Sequence, residues 1–226
     1  MTSAAMLRVA REAPATVVGP CVALLLLLMA WGVQAWVYTQ SADTLWMLST
    51  GVAVLLGAAA LGWLRPQRVG FTAPQAMLLL GAIGMVLGLV LDARATRLDT
   101  IAEICGQAEK GLGAMLQLHW SLLPWMHAGM WVGGFAAIPL LRAVRPTCRK
   151  QYCARAVQNV ACSAWMTVGM SLGVLLSEYL VSQFGERSAS SMLGGMFAGM
   201  VWGMVASVAL YRLYFRVTIS LPNAKT

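Results

Sequence analysis

A chain of 226 residues with 59% hydrophobic and only 11% charged side chains is too poor in charge for a soluble domain, whose solvated surface takes roughly 25% Asp, Glu, Lys and Arg. Its mean hydropathy of +0.72 agrees, and apolar runs of about 20 residues can cross a ~30 Å hydrocarbon core as helices. The formal net charge of +8 does not mark a nucleic-acid binder, because the basic residues sit between the apolar runs, where they report topology.

In chain order the pattern predicts an all-α, polytopic transmembrane bundle of about six spans, one integral membrane domain over residues 1–226. The first span, 17–38, follows Arg8 and Arg11 and is dominated by the Leu24–Leu28 run. It is too long for a signal-peptide core, and Gln40-Ser41-Ala42 is a poor cleavage site, so it is expected to stay as a span. The second span, 45–64, stops at Arg65-Pro66, and the third, 74–91, opens at Pro74 and ends at Asp92. After a polar segment come spans at 119–141, 160–181 and 191–213. Trp and Tyr flank several of them, as rings that favour the headgroup zone do.

Between spans three and four, Thr100-Ile-Ala-Glu103 fits a capping box. Leu98, Ile101, Cys105, Ala108, Leu112 and Met115 then recur at three- and four-residue steps. This predicts an amphipathic helix on the outer membrane surface, either shielding the bundle or acting as a lid.

Orientation follows from the basic residues. With both termini inside, twelve Lys and Arg fall on the cytoplasmic side, and only Arg94, Arg97, Lys110 and Arg187 fall outside. The reading is a multi-pass protein of a bacterial-type inner membrane with cytoplasmic N- and C-termini. The five cysteines, at irregular spacing, form no disulfide framework, and Cys148 and Cys153 lack the close spacing of a thiolate metal site.

Methionine carries the functional argument. Met192, Met196, Met200 and Met204 stand four residues apart in span six, a step that drifts by about 40° around the helix and so makes one slowly winding stripe. Met166 and Met170 repeat the spacing in span five, and span four carries His119, Met126, His127 and Met130. With that topology His127 and Met130 lie about 12 and 16 Å below the outer boundary, Met196 and Met200 about 8 and 14 Å, and Glu178 about 6 Å. Thioethers and imidazole suit Cu(I), and an intramembrane carboxylate is a functional candidate. The expected site is therefore His127, Met126, Met130, Met196 and Met200 binding copper, with His119 at the interface and Glu178 tuning charge or carrying a proton.

Packing is the competing reading, since methionine is a flexible gap-filler. Gly195, Gly199 and Gly203 form a small-residue stripe beside the methionines, echoed by Gly84 and Gly88, Gly129 and Gly133, and Gly169 and Gly173. That stripe could pack on the chain itself, on a second copy or on a membrane partner. A non-catalytic subunit or assembly factor is thus the alternative function, and a proton-coupled permease using Glu178 a third. Pro124 should start or bend span four. Gly169-Met-Ser-Leu-Gly173 imitates a nucleophile elbow, but that motif needs a strand-to-helix turn and here lies in a helix, so no enzyme is expected. No Walker loop or HExxH is present, and two histidines on one span cannot hold two bis-histidine haems.

Overall fold

The computed structural model of the chain describes residues 15–37, 43–64, 72–95, 117, 120–144, 152–184 and 188–220. Six long helices account for nearly all of these, with no strand among the described residues: α1 (Ala15–Trp36), α2 (Asp43–Leu64), α3 (Ala73–Ala95), α4 (Pro124–Val144), α5 (Tyr152–Phe184) and α6 (Ala189–Ser220). Helices α1, α2, α3, α5 and α6 are long and apolar enough to cross a membrane, which makes five candidate spans. Helix α4 is not among them, because Pro124, His127 and three glycines dilute its hydropathy. The expected surface helix over 98–115 and residue His119 lie outside the described residues.

The helix starts follow local chemistry. Thr72 and Gln75 cap α3 reciprocally: the Thr72 N–H donates to Gln75 Oε1 at 3.0 Å and the Gln75 N–H to Thr72 Oγ1 at 3.2 Å. Ser188 and Ser191 cap α6 in the same way. Helix α4 begins at Pro124 rather than at 119, since a first-turn proline forgoes an N–H that no helical carbonyl would accept. His127 therefore stands in the first turn of α4, about 4.5 Å along the helix from Pro124. Helix α3 continues past Asp92 to Ala95, while the membrane-length stretches of α5 and α6, Gln158–Val181 and Ala189–Tyr214, agree with the expected 160–181 and 191–213 and the helices themselves run on beyond them.

Two helix pairs run antiparallel along glycine seams. A Cβ at Gly84 would overlap the Gly129 carbonyl oxygen, one at Gly88 the Trp125 carbonyl, and one at Gly133 the Leu80 carbonyl. On the other pair, Gly169 faces Gly199, Gly173 faces Gly195, and Gly203 faces Trp165. Close backbone approach is how helices associate in lipid, where burying apolar area drives little. Helix α6 also packs along α2 and meets α1 and α3, whereas α4 packs chiefly on α3 and also meets α5. Leu24, Leu28, Leu48, Leu56, Leu87 and Val132 are exposed on the outside, as expected of a surface that contacts a lipid bilayer.

Candidate metal site

In each of the four seam helices a methionine follows a seam glycine: Gly84-Met85 in α3, Gly129-Met130 in α4, Gly169-Met170 in α5, and Gly195-Met196, Gly199-Met200 and Gly203-Met204 in α6. One residue is about 100° of helix rotation. While glycine faces the paired helix, its methionine is turned aside, and here that direction is the bundle interior. Met85, Met126, Met130, Met166, Met170, Met192, Met196, Met200 and Met204 are all fully buried and belong to one contiguous core.

The seams also set which methionines share a level. Met130 Cγ and Met166 Cε stand 3.8 and 3.7 Å from where a Cβ at Gly81 would lie, and a Cβ at Gly203 would meet the Met166 Cα at 3.1 Å. Met130, Met166 and the Gly203-Met204 step thus form one layer. One helical turn away, about 6 Å, Met126 beside Gly88 comes level with Met170 and with the Gly199-Met200 step. Of the expected ligands, Met126, Met130, Met196 and Met200 all lie in the core, but α3 and α5 mediate between the α4 and α6 members. Met85, Met166 and Met170 complete the thioether population. Their signal in the sequence was the repeated Gly-Met step.

His127 is 1% exposed. Its Nδ1 lies 2.8 Å from the Leu123 carbonyl oxygen. A carbonyl only accepts, so Nδ1 carries the proton and the lone pair of the neutral ring is on Nε2. The Trp120 ring packs edge-on, with centroids 4.8 Å apart. A backbone carbonyl on one ring nitrogen is the arrangement that orients metal-binding histidines.

Asp92 is the residue that sequence reasoning passed over as a mere span end. It is buried, and its carboxylate accepts the N–H groups of Trp125 at 3.2 Å and Met126 at 2.8 Å. A helix N-terminus carries unsatisfied donors and partial positive charge, so a carboxylate from a neighbouring helix caps α4 from outside. This cap fixes the turn that bears Met126 and His127. The lone carboxylate in an apolar run was visible, but its partner, 33 residues away, was not.

Glu178, on α5, is half-buried with one carboxylate oxygen fully enclosed. Among the described residues no three His, Cys, Asp or Glu side chains converge, so a metal in this core would rest on thioethers and one imidazole. Gly195, Gly199 and Gly203 lie against α5 of the same chain. No protein-family model, curated protein or solved structure matches this chain.

Proposed function

We propose that the chain is a six-span inner-membrane protein, termini cytoplasmic, that binds Cu(I) in its methionine core and passes it along the thioethers from the outer face inward. Helix α4 completes the six-span arrangement despite its lower hydropathy, because its glycine face is covered by α3 and its polar start by Asp92. The observation that carries the reading is His127: buried, oriented by the Leu123 carbonyl, and flanked in sequence by the buried Met126 on the same helix as Met130. Neutral soft ligands hold a monovalent soft ion without burying several carboxylates. Met166 and Met170 continue the path to Met196 and Met200, and Glu178 adjusts charge beside it.

The test is anaerobic Cu(I) loading of the detergent-purified full chain, followed by washing and elemental analysis. About one retained copper per chain is expected, with affinity falling at least tenfold in the Met196→Leu/Met200→Leu double variant and in His127→Ala. Unchanged affinity in both, in folded protein, would leave the methionines as packing. The chain would then be read as a structural membrane subunit, an alternative supported by the density of the glycine seams.

A further inference from the structure

Helices α2 and α5 both pack mainly on α6, and between them runs a lateral groove of about 390 Å³. It extends along α6 from Ser191 to Ala206, about 22 Å at 1.5 Å per residue. Its floor is cut low by Ala198 and Ala206, and its walls include Trp46 and Ala53 of α2 and Leu172 and Leu176 of α5. Trp202 braces the α2 side by donating its indole N–H to the Ala53 carbonyl at 3.1 Å. All of these belong to helices long and apolar enough to cross a membrane, so the groove opens onto hydrocarbon.

We propose that this groove binds one acyl chain of a membrane phospholipid, with the ester end of that lipid at Thr50. Size selects the occupant. Spread along the groove's length of about 22 Å, this volume is a narrow slot that admits an extended methylene chain, whereas a helix about 10 Å across, with a cross-section of about 80 Å², is too wide for it.

Polarity selects its direction. Hydroxyl groups line the groove near the start of α6, where Ser191 and Thr50 stand, and the opposite end at Ala206 and Trp165 is apolar. Thr50 is 5% exposed, and its Oγ1 accepts the Gln34 Nε2–H at 3.2 Å. Its own hydroxyl proton meets no acceptor among the described residues. A buried donor is costly to leave without an acceptor, and an ester carbonyl supplies one.

The full chain, purified in mild detergent and incubated with palmitoyl-oleoyl phosphatidylglycerol, would be washed and examined by native mass spectrometry. About one phospholipid should remain per chain. Retention should fall at least fivefold in Ala198→Phe, which fills the groove floor, and stay unchanged in Val132→Phe, on the exposed outer face of α4. Ala53→Leu fills the groove from the opposite wall and decides the matter if Ala198→Phe does not fold. A folded wild-type chain that retains no phospholipid, equal retention in the groove variants, or a lipid-free dimer dissociated by those variants would each overturn the proposal.

Discussion

The α3–α4 and α5–α6 pairs solve the same packing problem and differ in what is attached to the solution. Both are antiparallel, both meet backbone to backbone at glycines spaced four apart, and both turn buried methionines toward the common core. The α5–α6 pair is closed at the start of α6 by hydroxyls that cap their own helix, Ser188 and Ser191. The α3–α4 pair is closed by a charge, with Asp92 reaching across to the first amides of α4. A glycine seam needs only small residues in register, so it recurs. A cross-helix carboxylate cap is a particular arrangement, and it sits at the only described turn that carries a histidine.

The comparison breaks most sharply at the seams themselves. Gly84→Leu and Gly199→Leu each force a side chain into a facing carbonyl, and backbone cannot give way as a side-chain tip does. Both should reduce the yield of monodisperse protein in size-exclusion chromatography by about tenfold or more, since the clash exceeds the ~1–3 kcal/mol of ordinary overpacking. If only one seam proved sensitive, the two pairs would not be equivalent.

A smaller effect separates their closures. Asp92→Ala leaves the buried Met126 amide and the part-buried Trp125 amide without this acceptor, at about 1–3 kcal/mol, and should lower the thermal unfolding midpoint more than Ser188→Ala, whose capping loss is about 1 kcal/mol. Asp92→Asn keeps an acceptor and should recover about half of the loss. Equal midpoints for Asp92→Ala and wild type would remove Asp92 as the lock of α4.

The proposed copper binding would sharpen the comparison further, because the core is shared by both pairs. Met130→Leu with Met166→Leu removes the layer at Gly81, and Met196→Leu with Met200→Leu removes thioethers nearer the start of α6. Both replacements keep apolar volume, so stability should change by less than about 1.5 kcal/mol while Cu(I) affinity falls. Loss in the first double variant alone would confine the site to the α4–α5 contact.

The smallest effect is expected at Gln34. Its Nε2 donates to Thr50 and to the Ser190 carbonyl, the latter at 3.1 Å, but its Oε1 is buried with no partner among the described residues. Gln34→Leu gives up two hydrogen bonds worth about 0.6 kcal/mol each in a membrane and removes one unsatisfied acceptor, so the unfolding midpoint should barely move.

Much of this architecture was legible in the residues. The apolar runs placed all six helices, Pro74 and Pro124 marked helix starts, and the four-residue glycine and methionine spacings identified the faces that meet. Helix ends departed from the expected bounds where tertiary contacts relieve a polar group: Asp92 looks like the end of a span until α4 supplies its amides, and α4 starts at Pro124, inside the expected 119–141.

The sequence by itself determined that the chain is apolar, helical and striped, because hydropathy and the 3.6-residue period are local properties. It did not determine which stripe meets which. Pairing of glycine faces, the level at which Met130 meets Met166, the Asp92 cap on α4 and the groove between α2 and α5 depend on relative rotation and depth of separate helices. Those are decided by the closest backbone approach the whole bundle allows, and no local pattern encodes them.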